Sequence, residues 1–354
     1  MKRKSDDFLG NKENEEKDDG TAAADTQISG QSGSDKEALG KEPIVKLLFR
    51  LAVPTVAAQL INMLYNIVDR IYIGRLPHTS AEALTGIGLT LPVITIITAF
   101  ANLFGMGGAP LCSIARGEHN EEKAEKVMGN SFVLLLISGG VLMIFCLIFK
   151  RSLLYLFGAS DVSWPYADQY ITIYLLGTLF VMISLGMNNF INAQGFGKTG
   201  MLTVLLGAVL NIVLDPVLIF GFDMGVRGAA IATIISQGAS AFWVLKFLTG
   251  KKALLHLNLK GMCLEWKRVK EIVLLGTSGF VMSVTNGLVQ IASNAMLSRY
   301  GGDLYVGIMT VINSVREIIT MPVTGLTSGA QPVISYNYGA RRPERVKKAG
   351  IVMA

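Results

Sequence analysis

The stretch that decides the fold is Gly207–Phe220, G-A-V-L-N-I-V-L-D-P-V-L-I-F. It has the composition of a membrane-spanning helix, yet Asn211 and Asp215 interrupt it and Pro216 follows at once. Residues four apart share one face of a helix, so the amide and the acid lie one turn apart. A carboxylate at the centre of a bilayer costs roughly 2.5–3.5 kcal/mol on insertion scales, and Pro216 frees backbone carbonyls nearby. The stretch predicts a cation or proton site; the alternative is that Asp215 only ties down a kinked helix.

The composition places this stretch in a polytopic membrane protein. The 354 residues are 51% hydrophobic and 16% charged, with a mean hydropathy of +0.46, whereas charged residues make up about 25% of an ordinary soluble domain. Several apolar runs reach the ~20 residues that a spanning helix needs. The net charge of +6 does not indicate nucleic acid, because the basic residues lie between these runs. The sequence contains no metal-ligand spacing and no nucleophile–base constellation, which argues against a metal centre, a cofactor or an enzyme.

The chain divides into four segments. Residues 1–40 are polar and predict a disordered tail. An N-lobe over residues 41–249, a basic linker over residues 250–270 and a partial C-lobe over residues 271–354 follow. Eight spans are predicted at about 44–73, 83–113, 127–149, 165–191, 201–222, 225–248, 271–297 and 304–330.

Lysine and arginine set the orientation. Loops on the side of the N-terminus hold 18 of them, against six in the opposite loops. Since cytoplasmic loops carry the excess of basic residues, we expect a cytoplasmic N-terminus.

The two halves of the chain resemble each other at an offset of 222 residues. The matching pairs are Gly107/Gly329, Pro110/Pro332, Ser113/Ser335, Gly117/Gly339, Glu122/Glu344 and Lys126/Lys348. Because six spans precede the second copy, both copies enter from the same side and form parallel repeats, an arrangement suited to alternating access. A six-span repeat predicts twelve helices in two pseudo-symmetric lobes. We therefore expect the chain to be truncated after about eight of them.

A polar stripe runs along the first span. Asn62, Tyr65, Asn66 and Asp69 recur at three- and four-residue spacing and share one helix face, which must face protein or water. An interfacial ion pair between Asp69 and Arg70 is the alternative interpretation of the acid.

Together these stretches resemble one known family. The chain is similar, over about residues 47–354, to the multidrug and toxic compound extrusion (MATE) transporters of the bacterial multidrug-efflux type. The stretches that carry the resemblance are R-L-A-V-P (50–54), D-R-I-Y-I-G-R-L (69–76), N-I-V-L-D-P-V-L-I-F-G-F (211–222), G-V-R-G-A-A-I-A-T (225–233) and G-A-Q-P-V-I-S-Y-N-Y-G-A (329–340). The resemblance implies twelve helices in two six-helix lobes. It also implies a plasma-membrane protein, usually a monomer, that exports cationic amphipathic drugs in exchange for Na⁺ or H⁺.

The resemblance also implies roles for individual residues. The candidates are Asp69 and Asp215 as the acids, Asn211 and Thr233 as polar partners in the cation site, Tyr65 one turn before Asp69, Pro54 as the bending proline, and Asn188 or Asn189 as a further amide. Some members place an acid in the seventh span, where this chain has none. Arg316 and Glu317, near mid-depth of the eighth span, are predicted to form an internal ion pair instead.

The working hypothesis is a secondary active multidrug exporter. Asp69 and Asp215 face each other and bind protons as a coupled pair, or hold Na⁺ with Asn211 and Thr233, and a cationic drug competes for the same charge. One rival is a lipid-linked oligosaccharide flippase on the related fold, which tends to carry basic residues in its central cavity. Another is a truncated member that does not transport.

Overall fold

The structure, a computed structural model, describes residues 39–76 and 80–353. Every long element in these ranges is a helix. The helices are α1 Ile44–Ile73, α2 Ser80–Gly117, α3 Glu121–Leu156, α4 Trp164–Leu176, α5 Thr178–Ala193, α6 Gly197–Pro216, α7 Gly225–Thr249, α8 Trp266–Gly339 and α9 Pro343–Met353, with a π turn at Val217–Gly221 and a 3-10 turn at Leu259–Met262. The predicted tail lies outside the described residues, apart from Leu39 and Gly40, which are helical.

The chain is a multi-pass helical membrane protein. Within the described ranges, six helices are long and apolar enough to cross a bilayer, and the pair α4 and α5 makes a seventh if it is one broken span. The faces toward lipid are apolar, as on α3, where Val141, Ile144 and Ile148 are more than half exposed. The opposite side of the same helix is buried, with Met128 and Leu135 at 0% exposure in the main core. Such a surface is stable in hydrocarbon and not in water.

The predicted fourth span is broken in the middle. It divides at Gly177 into α4 and α5, which meet at an angle of 57°. A Cβ atom at Gly177 would overlap the side chain of Ile234 on α7. The absence of a side chain at the bend therefore lets α7 pack directly against the break.

Helix α8 includes both of the predicted spans at 271–297 and 304–330. Its backbone stays helical through residues 298–303, where the sequence predicts a loop. Gly276 packs against Leu103 and Gly339 packs against Ile114, both on α2. A straight helix would hold Gly276 and Gly339 roughly 95 Å apart, whereas Leu103 and Ile114 are separated by only about 16 Å of helix. The chain must therefore reverse direction within α8, as two spans require. Because many side chains of residues 290–318 lie outside the described set, the eighth span stays a prediction.

The segment after α7, predicted as a linker, is docked onto the bundle. Asn130 on α3 is fully buried, and its amide donates to the carbonyls of Gly261 (3.2 Å) and Cys263 (2.9 Å) while its oxygen accepts from the Glu265 N–H (2.9 Å). One side chain thus satisfies three backbone groups of the linker.

Two further side chains hold the same segment. The Glu125 carboxylate accepts from the backbone N–H of His256 (2.9 Å) and from the Asn258 amide (2.8 Å). Gln194 accepts from the N–H groups of residues 254–255 at 2.9 and 3.0 Å. Buried backbone groups need such partners, so these contacts fix the path of the chain into α8.

Substitution Asn130→Ala should destabilise the protein by about 2–4 kcal/mol, because it leaves several buried backbone groups without partners. The measurement is thermal unfolding of the purified protein in detergent. Asn120→Ala is the matched control, since Asn120 is exposed and accepts a single capping bond from the Lys123 N–H (2.9 Å), worth about 1 kcal/mol. Equal melting temperatures for the two variants would contradict the anchoring role of Asn130.

Candidate functional site

The acid of the Gly207–Phe220 stretch, Asp215, is completely buried. Asp215 is 0% exposed and Asn211 is 2% exposed on the same face of α6, and the Asn211 amide donates to Asp215 Oδ1 at 3.2 Å. Pro216 is the last residue of α6, and the π turn Val217–Gly221 follows it. Proline has no backbone N–H to donate. The π turn that follows accommodates this break in the regular hydrogen-bond pattern of the helix. The structure thus places the predicted acid and amide on one face of α6, next to the π turn.

The first span supplies the second acid. The carboxyl groups of Asp69 and Asp215 lie close enough to interact directly, although they are 146 positions apart in the chain. Tyr65, one turn earlier on α1, lies within electrostatic range of both. The side chain of Arg70 is outside the described set, so the alternative ion pair with Asp69 stays untested. Three of the predicted site residues therefore meet Asn211 in one cluster.

Two tyrosines that the sequence reasoning missed complete the cluster. Tyr170 and Tyr174 on α4 are each 5% exposed, with stacked rings 6.1 Å apart. Tyr170 lies beside Asp69 and hydrogen-bonds Thr233, whose hydroxyl also donates to the Ala229 carbonyl at 3.0 Å. The signal in the sequence was two phenols four residues apart in an apolar helix, since buried tyrosine hydroxyls need partners.

The cluster presents buried oxygen atoms that can bind a cation or accept a hydrogen bond. Asp215 Oδ2 and Asn211 Oδ1 are buried without a hydrogen-bond donor among the described residues. Carboxylate and amide oxygens are the ligands of hard cations, and a buried acid also takes up a proton readily. Within the described ranges no group of three His, Cys, Asp or Glu could hold a metal ion. The oxygen atoms of the cluster suit a cation or a proton.

A polar cavity of about 180 Å³ opens beside Asn211, between α1, α5, α6 and α7. Its lining is mostly amide and hydroxyl side chains, with no charged residue among those described. The polar residues are Thr55, Gln59, Asn62, Tyr65, Asn102, Ser184, Asn188, Asn189, Asn192, Thr203, Asn211, Thr233, Ser236, Gln237, Ser240 and Ser328. Such a surface holds water or a polar solute inside an otherwise apolar bundle.

The two candidate amides of α5 lie at the far end of this cavity. The Asn188 amide donates to the Gly200 carbonyl at 3.3 Å, and Gly200 precedes Asp215 by about 22 Å of helix. Asn189 bonds the Leu185 carbonyl of its own helix at 3.0 Å. Both amides line the cavity, but the structure does not bring either to the acids.

The remaining predicted residues are Pro54, Arg316 and Glu317. Pro54 is buried inside α1, about four turns before Asp69. Arg316 is exposed on α8, and the side chain of Glu317 lies outside the described residues, so the predicted ion pair stays untested.

Comparison with known proteins decides the family. The MatE family model matches residues 54–217 and 280–354, which include every member of the cluster except Thr233. The chain belongs to the MatE family.

Individual relatives agree with this assignment. Multidrug export protein MepA of Staphylococcus aureus (strain NCTC 8325 / PS 47) is 29% identical over 304 residues, 85% of this chain and 66% of the relative. The chain thus spans about two thirds of the length of the curated relatives it matches. A structure described as the outward-facing conformation of a multidrug resistance MATE family transporter of the MOP superfamily superposes with a TM-score of 0.83 at 26% identity, covering 90% of this chain and 70% of that one. A MOP superfamily transporter from Pyrococcus furiosus, described as having a binding pocket of reverse polarity, matches with the same four values.

The MatE chain is closed at its basic end, where the predicted cytoplasmic loops lie. Three side chains bind backbone carbonyls just before α1, and they are here called the clasp: Asn337, Arg342 and Arg345. Asn337 donates to the Leu39 carbonyl at 3.1 Å, Arg342 to Gly40 at 2.6 Å and Arg345 to Glu42 at 2.7 Å. Arg345 also donates to the Asn337 side chain at 2.9 Å. The clasp joins the end of α8 to the start of the N-lobe.

A close helix crossing lies directly beside the clasp. Gly325 and Gly329, four apart on α8, face Ala52 and Val56, four apart on α1, and the hydroxyl of Thr55 donates to the Gly325 carbonyl at 2.7 Å. Small residues let helix backbones touch in membranes. This crossing closes one side of the polar cavity, since Thr55 and Ser328 both line it.

Proposed function

We propose that this MatE chain is a secondary active multidrug efflux transporter that exports cationic amphipathic compounds in exchange for Na⁺ or H⁺. The observation that carries the proposal is the complete burial of Asp215 beside Asp69 inside a membrane bundle. A buried ionisable pair is costly, and it is a functional site by default in a membrane protein.

The cluster supports exchange through competition for one charge. Two unit charges at 4 Å interact by about 4 kcal/mol at an effective dielectric constant of 20. The two acids therefore favour a state in which a cation or a proton offsets their repulsion. Na⁺ would be held by Asp215 and Asn211 with Thr233 nearby, and a proton would bind the pair as a unit. A cationic drug relieves the same repulsion, so its binding and that of the coupling ion exclude one another.

The closed basic end supports alternating access. In the proposed orientation the N-terminus is cytoplasmic and the protein lies in the plasma membrane, as a monomer. The clasp and the α1–α8 crossing then seal the cytoplasmic side. Opening toward the cytoplasm requires both to separate.

The flippase alternative has less support. A pyrophosphate headgroup needs basic side chains to bind it, and the described lining of the polar cavity holds neither lysine nor arginine. The acids of the cluster would repel such a ligand.

The test of the proposal is ethidium efflux from drug-sensitive cells that express this chain, in buffers with and without sodium. Sodium-stimulated efflux would identify Na⁺ exchange, and efflux that ignores sodium but collapses with a protonophore would identify H⁺ exchange. Absence of efflux from cells that contain correctly inserted protein would refute transport by this polypeptide.

Substitution Arg345→Ala should loosen the basic end. It removes charge-assisted bonds worth about 1.5–3 kcal/mol, which corresponds to a roughly tenfold or larger gain in the open population. The reporter is a cysteine at Thr55, 7% exposed at the crossing, in a background in which Cys112, Cys146 and the exposed Cys263 are replaced. Its modification by a maleimide applied to the basic face should accelerate by that factor. Arg341→Ala is the control, since Arg341 is exposed and lies outside the clasp; equal rates for the two variants would remove the clasp from the closing mechanism.

A further inference from the structure

The polar cavity extends well beyond the acid cluster. Along α6 its lining runs from Asn211 back to Gly200, about 16 Å of helix toward the basic end. Ser236 on α7 lies level with Gly207, midway along this path, and it is 2% exposed. The hydroxyl oxygen of Ser236 has no hydrogen-bond partner among the described residues. The coupling site is therefore continuous with a narrow space lined by neutral oxygen atoms.

Two amides form a built site at the far end of this space. Asn188 and Asn192 are four apart on α5 and face Gly200 on α6. The Asn188 amide donates to the Gly200 carbonyl at 3.3 Å, and a Cβ atom at Gly200 would overlap the Asn192 carboxamide oxygen. Any residue larger than glycine at position 200 would therefore displace the Asn192 amide.

The oxygen atoms of both amides lack donors. Asn188 Oδ1 and Asn192 Oδ1 are buried without a hydrogen-bond partner in the described part of the chain. The free backbone N–H donors of a helix lie in its first turn, whereas Asn188 and Asn192 lie in the C-terminal half of α5, which runs from Thr178 to Ala193. A buried acceptor without a donor costs about 1–3 kcal/mol. Both amides contact Gly200, one through its nitrogen and the other through its oxygen. Their two oxygen atoms without donors call for a ligand that accepts lone pairs.

We propose that Asn188 and Asn192 form a second binding station for a monovalent cation, through which the coupling ion passes between the Asp215 cluster and the basic end of the bundle. The inference rests on the proposed function, because it supplies the acid cluster with its route. Neutral amide oxygens replace part of the water shell of the cation but add no charge. The station therefore binds the ion more weakly than the acids do, which lets the ion leave. Multiple sites of modest strength are what conduction along a path requires.

The test is sodium-23 NMR of the purified full chain in detergent, in which weak, fast-exchanging ion binding appears as excess transverse relaxation. Wild type is compared with Asp215→Asn, with the double variant Asn188→Ala/Asn192→Ala, and with the combination of all three. Asn102→Ala is the matched control, an amide of the same cavity lining on α2. Two sites separated by about 22 Å along α6, from Gly200 to Asp215, should contribute independently. Each of the first two variants should thus lose part of the excess relaxation, and the combination should lose nearly all of it.

The alternative outcomes separate this inference from the proposed function. If Asp215→Asn alone removes all of the excess, the acids bind sodium and the station does not exist. If the double Ala variant matches wild type and Asn102→Ala, the station is refuted and the acid site stands. If wild type shows no excess, the station for sodium is refuted, and the efflux assay with a protonophore still decides whether the acids couple transport to protons. If the excess depends on the two amides but not on Asp215, the station is supported and sodium coupling at the acids fails.

Discussion

Replacement of Asp215 with Asn is expected to abolish ion-coupled drug efflux while leaving the protein folded in the membrane. The amide has the shape of the carboxyl group, and its oxygen can still accept the bond from Asn211, 3.2 Å away in the native chain. The charge for which the ion and the drug compete is lost. Truncation of one member of a buried charge pair costs about 2–5 kcal/mol of binding, so the affinity for the coupling cation should fall about 30-fold or more.

The measurement is ethidium efflux per molecule of inserted protein, with size-exclusion chromatography in detergent as the check on folding. Asp168→Asn is the matched control, because Asp168 also lies in an apolar helix and pairs with Lys150 at 2.7 Å, but is partly exposed and outside the cluster. The control should retain efflux. Full drug resistance in cells that carry Asp215→Asn would show that Asp215 only ties down the π turn.

The parts of the site on a single helix could be predicted because helical periodicity is a local property. Spacing alone places Asn211 one turn from Asp215, and it places Tyr65 one turn from Asp69. The cost of burying an acid in lipid then requires each pair to face protein. That the two pairs meet was implied by the family resemblance and not by spacing. The structure brings the acids together, as the resemblance implied.

The contribution of α4 could not be predicted, because the rotation of one helix against another depends on packing across the whole bundle. Tyr170 and Tyr174 enter the site only because α4 breaks away from α5 at Gly177, and one glycine in an apolar run does not identify a break. The path of the linker could not be predicted for a similar reason. Its basic residues indicate a segment between the two lobes, but the contacts that hold its backbone come from Asn130 and Glu125, two side chains more than 125 positions earlier.

Substitution Gly329→Val is expected to force the basic end open. A Cβ atom at this position would lie 2.5 Å from the Ala52 Cα and 2.7 Å from the Thr55 hydroxyl. These atoms belong to or adjoin the α1 backbone, so the helices must separate and cannot simply repack. Overpacking of this kind destabilises the closed state by about 1–3 kcal/mol. The state in which α1 and α8 are separated has no overlap and is not destabilised. The ratio of closed to open molecules should therefore fall about fivefold or more.

Spin labels at Lys198 and Lys348, both exposed at the basic end on opposite sides of the crossing, report this change as a longer interlabel distance in pulsed electron paramagnetic resonance. Gly279→Val is the matched control, because Gly279 lies on α8 as well and a Cβ atom there meets nothing within 4 Å. Valine is more favourable than glycine in a helix. The control therefore distinguishes the steric effect at the crossing from this general effect of the substitution. An unchanged distance distribution in Gly329→Val would mean that the crossing belongs to both conformations. Thr55, which donates to Gly325, would then hold the two helices together throughout the cycle, and the opening would have to occur at the clasp alone.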